Sequence, residues 1–153
     1  MDDMARLVAA EHIKELKARY FRFVDTKDWA GLRGLFCDHA TLHYTDSNPD
    51  TGPQPVDQAM VFIGETLADA ATIHHGHMPE IEILTSDTAR AIWAMEDRVF
   101  WPEGSRNPYG LYQMQGWGHY HETYERHGEQ WLIATLKLTR LRRLIELQPA
   151  RAL

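Results

Sequence analysis

The sequence predicts an α+β fold, with helices early and strands late, on three observations. Apolar residues recur at helical spacing near the N-terminus. Long β-branched and aromatic runs bounded by turn residues fill the second half. A proline-rich loop and one further helix lie between them. From Met4 to Val24, Ile13, Leu16, Tyr20 and Phe23/Val24 form an apolar stripe, with Lys14, Lys17, Arg19 and Arg22 between them. This helix should stop near Asp25-Thr26, since both residues favour caps over interiors. A short helix is expected over Trp29–Phe36, with Asp25 or Thr26 near its N-cap and Asp28 in its first turn. Asp38–Tyr44 reads as a strand.

Ser47–Pro55 holds three prolines and one glycine in nine residues and is expected to be a loop. A third helix should cover Val56–Ala70. Four strands follow, at Ile73–Leu84, Thr88–Trp101, Leu111–Arg126 and Trp131–Arg142. The turn signals Ser86-Asp87, Pro102-Glu103-Gly104 and His127-Gly128 separate them, which predicts an antiparallel meander. Both faces of Thr88–Trp101 carry apolar side chains: Ala91, Trp93, Met95, Val99 and Trp101 on one, Ile92, Ala94 and Phe100 on the other. Helices can cover one face. A subunit interface is the expected cover for the other, which predicts a homodimer or homotrimer.

The 153 residues suit one domain, spanning 1–153. Sixteen Lys+Arg against 22 Asp+Glu give a formal charge of −6, which disfavours nucleic-acid binding. The basic cluster Arg140, Arg142, Arg143 reads as a solvated strand end. Cys37 is the only cysteine, so no internal disulfide can form, and a buried thiol is expected rather than a nucleophile. There is no secretory pattern and no apolar run approaching about 18 residues, so no membrane contact and a cytoplasmic location are expected.

Several residues could carry chemistry. Asp97 falls on the apolar strand face, where a carboxylate must be paired, hydrogen-bonded or neutral. An ion pair with a cation on a neighbouring strand is the plain alternative to a functional role. Among nine histidines, His74, His75 and His77 cluster at a strand start, with His74 on the opposite face from the other two. Imidazole is the usual general base near neutral pH, although a histidine there is more often structural. His119-Tyr120-His121 puts two imidazoles on one face with Glu125, a spacing a metal could use. No clear third ligand follows from sequence, so no metal is expected. No phosphate-binding glycine motif is present. Tyr20 lies on the apolar stripe and needs a hydroxyl partner if buried. Asp25 has a ready alternative as a helix cap.

The stretch Ile13–Trp29, the blocks His74–Ile81 and Trp93–Arg98, and the close Gly118–Arg126 with Trp131–Ile133 resemble SnoaL-like proteins of the nuclear transport factor 2-like superfamily. Among these the resemblance is nearest to the bile-acid dehydratase and scytalone dehydratase type of lyase. It covers nearly the whole chain and is more specific for fold than for reaction. It implies a cone-shaped α+β barrel, three helices packed on a strongly curved, mostly antiparallel sheet with a pocket on the concave side. It implies Tyr20, Asp25, His74 and Asp97 as catalytic residues, with Asp25 orienting His74 as the base. Dehydrochlorinase-like relatives carry lysine at the position of Tyr20, which argues against halide elimination. Tyr44, Phe62, Trp93, Met95, Val99 and Trp117 are expected to line the pocket. The expected activity is a cofactor-independent dehydration of a bulky, hydrophobic, polycyclic small molecule. An isomerase, a cyclase or a non-catalytic ligand-binding module of the same fold are the alternatives.

Overall fold

The computed structural model describes residues 1–44, 52–105, 107 and 109–149. Helix α1 (Asp3–Thr26) begins at Asp2, whose carboxylate accepts from the Ala5 amide at 2.7 Å. It ends where Lys27 turns left-handed at φ 62°, letting its N–H reach back to the last turn. The buried stripe is Ala9, Ile13, Leu16, Lys17, Tyr20 and Val24. Fully burying an aliphatic side chain such as Ile13 or Leu16 stabilises by about 1.5–3 kcal/mol, and both are almost wholly enclosed. Lys17 corrects the sequence reading: it lies inside the stripe, with no exposed surface.

Helix α2 (Trp29–Arg33) is shorter than expected. Its cap is Asp28, which accepts from the Gly31 amide at 2.8 Å, rather than Asp25 or Thr26. Strand β1 (Phe36–Tyr44) leads towards the proline-rich segment, of which residues 47–51 lie outside the described residues. Gln54–Pro55, expected as loop, forms a two-residue strand β2 against β1. Helix α3 (Val56–Leu67) and the strands β3 (Ala71–Ile83), β4 (Thr88–Phe100), β5 (Leu111–His127) and β6 (Gln130–Leu147) complete the order. The last strand runs five residues beyond the expected Arg142, carried by its pairing with β5 as far as Leu111↔Leu147.

The sheet has six strands in the order β2-β1-β6-β5-β4-β3. The four long strands form the expected antiparallel meander, and β1 joins β6 in parallel. Register shifts at Gly76/Pro79, Trp117/Gly118 and Thr123/Tyr124 bend the long strands, as bulges do, so the sheet curls into an open-edged cone. Helices occupy the concave side. The alternation of β4 holds: Ala91, Trp93, Met95, Asp97 and Val99 point inward, while Ile92 and Phe100 are exposed on the convex side. Among the described residues, no helix is long and apolar enough to cross a membrane.

The concave interior divides in two. Towards the β3–β4 hairpin it is solid, with Phe21 of α1 seated on Gly76, where a Cβ would come within 2.6 Å of the ring. Trp93 and Met95 belong to this packed body. Towards the other end Ala70, Val99, Trp101 and Leu111 form a smaller apolar group. The space between the two groups stays open.

Candidate active site

That space is a cavity of about 350 Å³, within the usual range for small-molecule sites. Its wall is largely apolar (Val24, Phe62, Ile63, Val99, Trp101, Leu138), and the polar groups Tyr20, Tyr44, His74, Asp97, Arg140 and Arg143 converge on it.

His74 enters from the start of β3 and Asp25 from the last turn of α1. Imidazole Nδ1 lies 2.7 Å from Asp25 Oδ1, and the His74 amide donates to Oδ2 at 3.0 Å. A carboxylate can only accept, so Nδ1 carries the hydrogen, and in the neutral ring Nε2 is the basic nitrogen. Thr72, two residues earlier on the same face, donates its hydroxyl to Asp25 Oδ1 at 2.9 Å and accepts from Lys27 Nζ at 2.8 Å. Partial burial alone would raise the Asp25 carboxyl. The His74 side chain, amide and charge and the Thr72 hydroxyl outweigh it, and hold the group below the ordinary aspartate value. The pair is locked by α1 on one side and the strand backbone on the other.

Tyr20, fully buried on α1, is hydrogen-bonded to Tyr44 of β1. Burial, and then the neighbouring Tyr44 and Tyr120, push its hydroxyl well above its usual value, so it keeps its proton. Beneath it, Lys17 Nζ sits 3.9 Å from the Tyr20 ring centre and 3.7 Å from that of Tyr120. Lys17 bonds Glu122 at 2.5 Å, both side chains having no exposed surface. Tyr124 donates to Glu122 and accepts from Trp93 Nε1 at 2.9 Å. This buried chain of polar contacts props the tyrosines from below.

Asp97 is ion-paired. Arg140 donates Nη1 to Oδ1 at 2.8 Å and Nη2 to Oδ2 at 2.7 Å, a two-pronged contact. The partners stand on β4 and β6, with β5 between them. Gly116 of β5 lies at the crossing: a Cβ there would come within 2.3 Å of Arg140 Nη1 and 2.6 Å of Asp97 Oδ1. The missing side chain is what lets the guanidinium pass over the strand.

Of the residues expected around the pocket, Tyr20, Tyr44, Phe62, His74, Asp97 and Val99 line the cavity, and Asp25 stands behind His74. Trp93, Met95 and Trp117 are not among the lining residues. Trp93 and Met95 face inward but belong to the packed body, with Trp93 bonded to Tyr124 and Met95 against Arg140. Trp117 alternates with Gly116 and Gly118, whose Cβ positions point into the packed interior, so the indole goes to the convex side. Of Arg140, Arg142 and Arg143, expected in a solvated strand end, Arg142 and Arg143 are exposed as expected, although Arg143 also borders the cavity; Arg140 departs from the expectation, its side chain turned inward to Asp97. His119 and His121 do not gather Glu125. His121 Nε2 meets Thr139 Oγ1 at 3.1 Å, while Glu125 faces His39 and His127. Cys37 is buried, as expected, and burial pushes its thiol up.

The pattern of the SnoaL-like domain matches residues 5–137. The chain belongs to the SnoaL-like domain family. This SnoaL-like chain is 28 % identical over 143 residues to the "Probable cyclase FGR4" of Gibberella zeae, covering 87 % of the chain and 91 % of that protein. Its fold is similar to that of a Novosphingobium aromaticivorans protein provisionally named a scytalone dehydratase, with a TM-score of 0.78, 18 % identity and 99 % of each chain covered. It is also similar to the type 3 hexachlorocyclohexane dehydrochlorinase of Novosphingobium barchaimii, with a TM-score of 0.75, 17 % identity, and 99 % and 100 % of the two chains covered.

Proposed function

We propose that the protein is a lyase that removes water from a bulky apolar small molecule without a cofactor, with His74 as the base. The observation that carries this reading is the 2.7 Å contact between His74 Nδ1 and Asp25 at the wall of a largely apolar cavity. Asp25 fixes the tautomer and stabilises the imidazolium formed when Nε2 takes a proton from substrate carbon. A positioned base of this kind contributes about 10²–10⁴-fold in rate. Such a carbon acid needs an adjacent carbonyl or conjugated system, whose oxygen gains negative charge as the proton leaves. Arg140 and Arg143 supply donors for that oxygen. Asp97 accepts from Arg140 at both oxygens, so its part is to aim the guanidinium rather than to give a proton. Tyr20, which retains its proton, and Tyr44 hold the departing hydroxyl. The imidazolium then gives that proton to the departing hydroxyl, so the C–O bond breaks with loss of water and Nε2 is again the free base.

A second reading, isomerisation or cyclisation, uses the same base and the same enolate-stabilising donors without expelling a group. The relation to the Gibberella zeae protein named as a cyclase favours it. Both readings are tested by incubating the protein with a panel of hydroxylated polycyclic ketones and following product mass. Loss of one water supports elimination, and a changed product of unchanged mass supports the second reading. His74→Gln should reduce turnover by at least about 10²-fold while ligand binding persists. Turnover that survives the substitution would remove His74 from the mechanism.

A further inference from the structure

At the opposite end of the sheet from the cavity, a second group of side chains converges. Cys37 and His39 stand two residues apart on β1, in the stretch where its pairing with β6 shifts register, and Glu125 and His127 stand two residues apart on β5. β6 runs between the two strands, and the side chains meet across it. Cys37 Sγ lies 3.7 Å from His127 Nε2, and that nitrogen lies 3.4 Å from Glu125 Oε2. The other carboxylate oxygen, Oε1, lies 3.2 Å from His39 Nε2. Among the described residues, Cys37, Glu125 and His127 are the one group whose donor atoms all lie within 4.8 Å of one another, close enough for a single ion. None of the four lines the cavity.

We propose that Cys37, Glu125 and His127 form a site for a thiophilic divalent cation of the zinc type. The spacing supports this. Zinc bonds of about 2.3 Å to sulfur and about 2.0–2.1 Å to nitrogen and oxygen, arranged tetrahedrally, put sulfur about 3.5 Å from nitrogen and nitrogen about 3.3 Å from oxygen. The observed 3.7 and 3.4 Å lie within about 0.2 Å of these separations. The donor set is mixed and soft: one thiol, one imidazole and one carboxylate suit zinc or cobalt and not magnesium or calcium. His39 backs the carboxylate through its second oxygen, the kind of outer contact that orients a ligand. Cys37 has almost no exposed surface, whereas the His127 and Glu125 side chains are partly open to solvent, so an ion arrives from the solvent side and closes over the thiol. On ligation the thiol proton goes to solvent, and the sulfur, the imidazole nitrogen and the carboxylate oxygen replace water molecules on the ion, with no change of oxidation state. An ion held there ties β1 to β5 across β6, far from the catalytic groups.

The test is titration of the chelator-treated full chain with cobalt(II), followed by displacement with zinc(II). One equivalent should bind, with the visible bands of tetrahedral cobalt and the near-ultraviolet band of a thiolate-to-cobalt bond. Cys37→Ser should abolish the thiolate band. His127→Ala, at an exposed position, should weaken zinc binding by at least about tenfold, since even an outer partner of a ligand is worth about 10–100-fold. His119→Ala, which removes half of the H-x-H pair on the same strand face, should leave binding unchanged. Absence of binding, cobalt binding without the thiolate band, or sensitivity to His119→Ala in place of His127→Ala would overturn the proposal. If Cys37→Ser fails to fold, the parent's band and the two histidine variants still decide it.

Discussion

Lys17→Met offers the sharpest test of how the cavity is supported. Lys17 and Glu122 have no exposed surface, and the ammonium lies between the rings of Tyr20 and Tyr120. Removing the lysine leaves Glu122 buried with, among the described residues, only the Tyr124 hydroxyl as a donor. Breaking one half of a buried pair costs about 3–5 kcal/mol. In a chain of this length each kcal/mol lowers the melting temperature by about 2–4 °C, so a fall of about 6–20 °C is expected. Adding Glu122→Gln removes the stranded charge and still offers Tyr124 an acceptor, so the double variant should recover half or more of the loss. Urea denaturation followed by circular dichroism measures both variants. A single-variant loss under about 1 kcal/mol, the range of exposed pairs, would refute the reasoning. So would a double variant no more stable than the single one.

Gly116→Ala puts a methyl where Arg140 crosses to Asp97. It should cost about 1–3 kcal/mol of stability by overpacking and depress turnover, and normal values for both would show that the crossing is not tight. Asp25 is held below its ordinary 3.8, so the unfolded chain takes up its proton first. Its contribution is fully present above that value and is lost as pH falls through it towards the lower folded value. Asp25→Asn should therefore flatten the acid side of the stability–pH curve, and an unchanged curve would contradict the assignment. Tyr20→Phe should lower turnover with little effect on ligand affinity. A large loss of affinity instead would make the hydroxyl a binding group.

Much of this structure was legible in the sequence because it is local. The stripe Ile13, Leu16, Tyr20, Val24 fixes α1, and Ser86-Asp87 and His127-Gly128 fix the hairpins. The parallel pairing of β1 with β6 joins residues nearly a hundred positions apart, and no local pattern encodes it. Lys17 was misread because a cation on a helix is normally at the surface, and its exception rests on Glu122, 105 positions away. Arg140 looked solvated for the same kind of reason: its partner sits two strands over. Trp117 was recoverable in principle by counting alternation back from Tyr120. The flanking glycines hide that phase, having no side chains to show which way they face. The pairing of His74 with Asp25 was reachable only through the family resemblance, since a strand-start histidine and a helix-end aspartate are each unremarkable alone.

The gap in β5 at Gly116 makes three positions on three strands behave as one heritable unit. A methyl at 116 blocks the route, a neutral residue at 140 strands an acid, and loss of the acid at 97 releases a cation into the binding chamber. Drift through single replacements is therefore penalised at every step, and double-mutant cycles among the trio should depart widely from additivity. The charge character of the chamber is thereby shielded from gradual change, while its apolar walls remain open to it.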